Sequence, residues 1–424
     1  MGEVTDVAVV GAGQAGLAVS YLLGRAGVQH MVLERGEIGE SWRSQRWDSF
    51  YLNTPNWSNG LPGMEFHPEA ADAFGHRDQL VSFFERYASS FDLPVRQHVT
   101  VTSLDMRGTG GGYTLQTGED TIRARAVVLA TGSMSRPRVP PMAQRISGDI
   151  TTLSAGTYRN AADLPDGPVV VVGSGQSGCQ IAEDLLEEGR RVYLCTSRVG
   201  RLPRVYRGRE ILKWWRDMGL LETRVDELKD PSVEFAAQPQ ISGSHGGHTL
   251  SLQSLARDGA TLLGRALDVD GHVLKLGSDL MECIDFANDK SQAFTTMIDD
   301  FVEREGIEAP PPQPDPFEPE LPDLKGSDQM DTLDLRNAGV SSVIWCTGYD
   351  ADWSWVKVDV FDEQGRPRHR AGSSESPGLY FIGFPWLSKR KSGILYGVAE
   401  DATRIVQHMD RHVLNSTDSQ VAAL

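Results

Sequence analysis

Apolar residues along the chain gather into short runs separated by amphipathic stretches, and two of these alternations repeat each other. Residues 4–10, VTDVAVV, form an apolar run of strand length. They are followed by GAGQAG (11–16) and then LAVSYLLGRAG (17–27), whose apolar positions return at helical spacing. HMVLE (30–34) reads as a second strand and closes a β–α–β unit. The same order recurs as VVVV (169–172), GSGQSG (173–178), the helical CQIAEDLLEEG (179–189) and the strand RVYLCTS (191–197). This is an internal duplication displaced by 162 residues, 173 − 11. Further strands are predicted in AVVLATG (126–132), SSVIWCTGYD (341–350) and GLYFIG (378–383), and a last helix over roughly 393–413. The final NSTDSQVAAL is expected to fray.

Between the second repeat and residue 341 the pattern weakens. Helical signals remain in KWWRDMGLL (213–221) and KSQAFTTMIDDFVEREG (290–306). Seven of the 22 prolines then fall within 310–322, which predicts a surface connector, because proline lacks the donor that helices and central strands require.

The glycines carry the first chemistry. Gly11 permits the strand-to-helix turn, Gly13 lets backbone approach a pyrophosphate, and Gly16 lets the helix pack on the strand. The pyrophosphate would sit on the helix N-terminus, where free N–H groups and the dipole favour anions. Glu34, 23 residues after Gly11, is placed to accept hydrogen bonds from a ribose. In the second copy, Gly173, Gly175 and Gly178 repeat the pattern, but the same count lands on Thr196, followed by Ser197 and Arg198. Hydroxyls and a guanidinium suit a 2′-phosphate that a carboxylate would repel, so this copy is expected to hold NADP. Arg201, Arg204, Arg207 and Arg209 extend the basic run; Arg207 and Arg209 are expected to be solvated. Two such units in one α/β chain imply two cofactors, FAD and a nicotinamide, with ATG (130–132) and CTGYD (346–350) as small strand ends beside them.

Composition narrows the class. The 424 residues carry 41 basic against 58 acidic side chains, a net charge of −17, which argues against nucleic-acid and anionic-membrane partners. No run of 18 apolar residues occurs and no basic leader is seen, so a soluble cytoplasmic protein is expected. Cys179, Cys195, Cys283 and Cys346 fit no disulfide framework, zinc knuckle or CxxC pair. A flavin reduced here therefore lacks a dithiol to pass electrons to, which leaves dioxygen. His245 and His248 lack completing ligands, so no metal is expected. Trp214 and Trp215 are read mainly as core, with a substrate pocket as the alternative, and Lys389, Arg390 and Lys391 mainly as surface charges, with gate residues for an anionic substrate as the alternative.

On GAGQAGLA, ESWRSQRWDSFYLNTP (40–55), ATG, GSGQSG, CTGY and GLYFIG, the chain resembles the flavin-containing monooxygenases over nearly its whole length, in particular the bacterial branch similar to plant auxin-forming enzymes. The resemblance implies two Rossmann-like domains of the disulfide-reductase-like FAD/NAD(P) fold: an FAD domain from 1–160 plus 341–424, and an NADPH domain from 161–340 that includes a partly helical insertion at 200–330. It implies a monooxygenase that oxygenates a small organic substrate at N, S or C through a flavin C4a-hydroperoxide, with dioxygen as co-substrate and a homodimer as one assembly. An NADPH oxidase producing hydrogen peroxide, or a non-catalytic FAD/NADP-binding sensor, are the alternatives.

Carried onto this sequence, the resemblance places Gln14, Ala15, Arg35, Trp42, Arg43, Val99, Ala130, Thr131, Gly132, Gly383, Gly393 and Ile394 along the FAD. It places Gln176, Ser177, Arg204, Thr347 and Gly348 with the nucleotide sites, and Asn53 and Asn56 toward the flavin ring as catalytic candidates. For both asparagines a buried turn role is the equal alternative. The family fingerprint FxGxxx(x)HxxxY/W is degraded in ISGDITTLSAGTYRN (146–160): Gly148 and Tyr158 remain, Ile146 replaces the aromatic, and Ser154 stands at the histidine.

Overall fold

The computed structural model describes residues 2–108 and 111–414, so the terminal NSTDSQVAAL lies outside the described residues. Two separate parallel sheets organise the chain. In the first, parallel strands run in the order Leu379–Phe381, Asp120–Leu129, Glu3–Val10, His30–Leu33 and Val95–Arg96. Antiparallel strands extend this sheet: Tyr113–Thr117 and Ser103–Met106 off Asp120–Leu129, and Ser373–Ser374 and His369–Arg370 beyond Leu379–Phe381. The second sheet has five parallel strands in the order Thr151–Ser154, Ser342–Trp345, Val169–Val172, Val192–Cys195 and Thr261–Leu263.

The two orders correspond strand for strand. Val9 pairs with Val32 on one side and Val128 on the other; Val171 pairs with Leu194 and Ile344 in the same way. The duplication seen in the glycine motifs therefore extends to the whole sheet. It makes Ser342–Trp345, ending in CTG, the counterpart of Asp120–Leu129, ending in ATG. Thr151–Ser154 and Ser342–Trp345 consequently hydrogen-bond in the second sheet, across the expected boundaries at 160 and 341. The 200–330 stretch likewise contributes Thr261–Leu263 to that sheet, and a hairpin, Ala266–Asp270 with Val273–Leu276, that pairs with Thr332–Asp334. These strands are three to five residues long, too short for an alternation to show.

The chain passes between the sheets twice, and the two passages pair with each other. Arg136–Pro137 lies antiparallel to Tyr349–Asp350, and Arg138 forms an ion pair with Asp350 at 2.7 Å. The Gln14–Arg25 and Leu395–Met409 helices pack together on the first sheet, burying Leu17, Leu23, Val398 and Ile405. Gln176–Glu187 covers the second sheet through Cys179, Ile181 and Leu185. The predicted 290–306 helix is the end of a longer one, Leu280–Glu305, and the 213–221 signal resolves into Ile211–Asp217 plus a short turn at Leu220–Glu222. The last helix is followed by a wider turn at Asp410–Leu414.

Candidate functional site

Both glycine loops lie at the carboxyl ends of their sheets, where open α/β folds bind ligands. Gly11 adopts φ +108°, and a Cβ there would come within 2.5 Å of the Ala130 carbonyl oxygen. Gly173 adopts φ +103°, and its Cβ would lie 2.7 Å from the Cys346 carbonyl oxygen. At Gly16 and Gly178 a Cβ would fall 1.9 and 1.8 Å from the carbonyl oxygens of Gly11 and Gly173. Gly13 and Gly175 differ: a Cβ on either meets nothing within 4 Å. These glycines N-cap their helices, and neither helix has a side-chain cap. Each helix thus presents uncapped N–H groups to open space, which fits an incoming pyrophosphate.

In the first crevice Glu34 is 7% exposed. Its carboxylate accepts from the Ala12 N–H at 2.7 Å and the Gly36 N–H at 3.0 Å, which fixes its direction while leaving further lone pairs for a ribose. Arg35 beside it is exposed, and the Val99 N–H donates to the Glu34 carbonyl at 2.8 Å. Gln14 donates from Nε2 to the Gly393 carbonyl at 3.1 Å, tying the loop to the start of the last helix. Gly383 and Gly393 both take φ +85°, and Ile394 caps that helix without a side-chain bond, beside the loop. Ala15 sits under Gly383, whose Cβ would lie 3.0 Å from the Ala15 Cβ. Ala130 donates its N–H to Val10, and Thr131 and Gly132, at φ +74°, follow at the sheet end.

Arg43 donates to the Ile38 carbonyl at 3.1 Å and pairs with Glu37 and Glu85, whereas Trp42 is half-buried under the Arg46 guanidinium. Arg46 also lies over Phe50 and has no carboxylate partner among the described residues. The sequence sets Trp42 and Phe50 four residues to either side of Arg46, but only the fold shows that both rings meet its guanidinium.

In the second crevice the expected phosphate readers separate. Thr196 is buried and donates its hydroxyl to the Leu263 carbonyl at 2.8 Å, so it closes the sheet edge. Ser197 exchanges hydrogen bonds with Ser174 at the strand end. Arg198 is exposed, its guanidinium 4.9 Å from the Phe286 ring centroid, and the Lys290 ammonium lies over the same ring at 5.3 Å. Arg204 is 2% exposed. It donates to the Asn53 carbonyl at 2.8 Å, pairs with Glu210 at 3.2 Å and lies over Phe74, and burial pushes its pKa down to about 10. This arginine fastens the inserted segment to the Asn53 turn, and its Nε is buried without a hydrogen-bond partner. Gln176 donates to the Ile241 carbonyl at 3.2 Å, Ser177 sits in the first helical turn, and Thr347, next to Gly348 at φ +96°, donates to the Arg138 carbonyl.

The two asparagines face different ways. Asn53 accepts from Gln180 at 2.7 Å, so its side chain reaches the second-sheet helix. Asn56 donates to the Ala70 carbonyl at 2.9 Å, and its Oδ1 is buried without a partner. Around them the units are bonded directly. Tyr158 donates to Asp184 at 2.5 Å, Ser49 donates to the same carboxylate, and Asn160 donates to Asp48 at 2.8 Å. Burial raises the Asp184 pKa. Ser154, at the histidine position of the fingerprint, is bonded to Thr157.

The histidines and lysines also take places that the sequence did not indicate. His245 pairs with Glu187 at 2.7 Å and buried His248 with Glu183 at 2.6 Å. Trp214 is core, donating to the Tyr206 carbonyl at 2.9 Å, whereas Trp215 is half-buried beside Phe294. Lys389, Arg390 and Lys391 are half-buried, a correction to their reading as surface charges. No helix among the described residues is long and apolar enough to cross a membrane.

Two duplicated sheets, each ending in a glycine cradle below an uncapped helix, define a protein of the two-dinucleotide FAD/NAD(P) fold. The family model for pyridine nucleotide-disulphide oxidoreductases matches residues 8–230, just over half of the chain. The chain belongs to that family and is an oxidoreductase. It is 29% identical over 415 residues to an uncharacterized CzcO-like oxidoreductase of Geobacillus kaustophilus, covering 97% of this chain and 100% of that one. It is 27% identical to a probable indole-3-pyruvate monooxygenase, YUCCA3, of Arabidopsis thaliana, over 94% of this chain and 84% of that one. Among solved structures, a flavin-containing monooxygenase from Stenotrophomonas maltophilia superposes with a TM-score of 0.64 at 18% identity, covering 96% and 99% of the two chains.

Proposed function

We propose that the chain is an NADPH-dependent FAD monooxygenase acting on a small organic molecule, with FAD on the first unit and NADPH on the second. The observation that carries this reading is the matched pair of open cradles with unlike rims. Glu34 stands at the first as a ribose acceptor, and Arg198 with Lys290 stands at the second as paired cations for a 2′-phosphate. Bound FAD would take reducing equivalents from NADPH and pass them to dioxygen, chemistry that no side chain of the protein supplies.

The residues themselves bind, orient and exclude water. The Leu395–Met409 helix turns an uncapped N-terminus toward the first loop, where it favours negative charge on the ligand. Arg204, stacked on Phe74 and bonded to Asn53, holds the inserted segment over the junction of the two units. The cysteines support dioxygen over a dithiol as acceptor. Cys179, Cys195 and Cys283 are buried, and burial raises all four thiols, Cys195 and Cys346 to about 12, which leaves none in the thiolate form that exchange requires. The names of the Stenotrophomonas and Arabidopsis relatives agree with an oxygenase.

Anaerobic mixing of the FAD-loaded protein with NADPH or NADH, followed by oxygenated buffer, tests the proposal. NADPH should bleach the flavin at a concentration at least about tenfold below NADH. Slow reoxidation, with one equivalent of peroxide released only as the oxidised flavin returns and less than one when an oxygenatable substrate is added, supports the oxygenase. Immediate stoichiometric peroxide supports the oxidase, which Ser154 in place of the fingerprint histidine would favour. Absence of bleaching with either nucleotide rejects both.

A further inference from the structure

Two histidines stand together at the carboxyl end of the last helix, about 22 Å along it from the end that is bonded to the first glycine loop. His408 lies in the final turn of Leu395–Met409, and His412 in the wider turn, Asp410–Leu414, that follows. Their ring centroids are 4.4 Å apart and the rings are inclined by 42°. Both sides of the pair are anchored to the first sheet. The buried Tyr380 hydroxyl lies 3.1 Å from His408 Nδ1. Arg125 donates to the Val413 carbonyl at 2.8 Å and the Leu414 carbonyl at 3.0 Å, and pairs with Asp6 at 3.3 Å. His408 Nε2 and both His412 nitrogens have no hydrogen-bond partner among the described residues, and neither ring meets a carboxylate. Elsewhere in this acidic chain His67, His245, His248 and His272 each face a carboxylate, at 2.8, 2.7, 2.6 and 2.8 Å.

Residues four apart on a helix share a face, and neutral imidazole is the common ligand of copper, nickel and zinc. The separation of the rings has a direct meaning for such an ion. A metal about 2.0–2.1 Å from a ring nitrogen stands about 3.2 Å from that ring's centroid. Two rings 4.4 Å apart therefore subtend about 90° at one shared ion, the angle between adjacent ligands in tetragonal coordination. With Nε2 on the ion, His408 Nδ1 carries the proton and donates it to Tyr380, the outer bond that holds a ligating imidazole in its direction. Wider turns of the Asp410–Leu414 kind are rare and recur at functional sites, and a helix carboxyl end favours positive charge. Among the described residues no third histidine, cysteine or carboxylate completes the pair, so water fills the remaining positions.

We propose that His408 and His412 form a two-point surface site for a divalent transition-metal ion that prefers nitrogen ligands at right angles, Cu²⁺ or Ni²⁺. The site owes nothing to the oxygenase reading, since it lies at the other end of the helix from the first glycine loop. Calorimetric titration of the untagged, FAD-loaded protein with NiCl₂ should show one ion bound per chain, and MgCl₂ should show none, because magnesium prefers oxygen ligands. His412→Gln and His408→Gln should each weaken Ni²⁺ binding about tenfold or more. His245→Gln, whose ring is already held by Glu187, should leave it unchanged. With one equivalent of Cu²⁺, electron paramagnetic resonance should show coupling to two imidazole nitrogens, falling to one in either variant. His412 is exposed, so its substitution leaves the fold intact, and the copper spectrum of the unsubstituted protein serves even where the His408 variant does not fold. No Ni²⁺ binding to the unsubstituted protein, an affinity undiminished in His412→Gln, or a copper spectrum without two imidazole nitrogens would each overturn the proposal.

Discussion

A methyl group at Gly13 and one at Gly16 have opposite consequences. Gly13 has φ −85°, which any residue adopts, and its Cβ would enter open space. Gly13→Ala should therefore fold, with an unchanged circular dichroism spectrum, and purify with FAD affinity lowered about tenfold or more. At Gly16 the Cβ would press 1.9 Å against the Gly11 carbonyl oxygen, so Gly16→Ala should lose stability before it loses ligand, seen as a fall in the apoprotein melting temperature. On the other cradle, Arg198→Ala should raise KM for NADPH about tenfold or more with little change in kcat, and leave NADH kinetics nearly unaltered. Steady-state nucleotide oxidation reads both. The glycine turns were legible in the sequence because a turn geometry is a local property. The place of Arg204 was not. Whether an arginine is paired or stacked depends on side chains such as Glu210 and Phe74, and Phe74 lies far from it along the chain.

Among the elements, two charged contacts give the fold opposite responses to pH. Burial would raise the Glu400 carboxyl, but hydrogen bonds and charge from Lys389 and Lys391 outweigh it and hold the pKa at about 2. The stabilisation is thus complete above the usual carboxylate range near 4.5 and is lost as pH falls toward 2. The contact joins the Leu220–Glu222 turn to the last helix. Glu400→Gln should flatten the decline of melting temperature between pH 4.5 and 2. His248 behaves in reverse. Burial lowers its pKa, yet the bond and charge of Glu183 raise it above the ordinary 6.5 overall. Its contribution is complete below 6.5 and fades as pH rises past that value. The gap in melting temperature between the wild type and His248→Gln should accordingly shrink from pH 6 to pH 8.5. The elements themselves were partly legible. Long periodic stretches announced the helices after each glycine loop, whereas the start of Leu280–Glu305 was hidden. Its apolar Leu280, Cys283, Ile284 and Ala287 stand among Glu282, Asp285 and Asp289, which mask the stripe. The strands Thr151–Ser154 and Thr261–Leu263 gain their stability from paired neighbours, not from their own residues.

At the scale of the molecule, the duplication was visible in two glycine motifs, but its extent was visible only in the pairing. ATG and CTG occupy equivalent corners because their carbonyls, Ala130 and Cys346, cross the equivalent glycines. Asp184, held by Tyr158 within the second unit, also accepts from Ser49 of the first and so ties the two together. Asp184→Ala strands the buried Tyr158 hydroxyl and should cost about 1–3 kcal/mol in chemical denaturation. It should also speed proteolysis at the ribbon formed by Arg136–Pro137 and Tyr349–Asp350. That ribbon has a consequence for how such a protein can change. Because the polypeptide leaves the first sheet and comes back through two strands lying side by side, everything between them is a cassette whose two covalent connections lie together. A grafted module with closely spaced ends could be spliced between Arg136 and Asp350 without rethreading a single strand of the first sheet, so the second unit can be exchanged as a part instead of altered residue by residue.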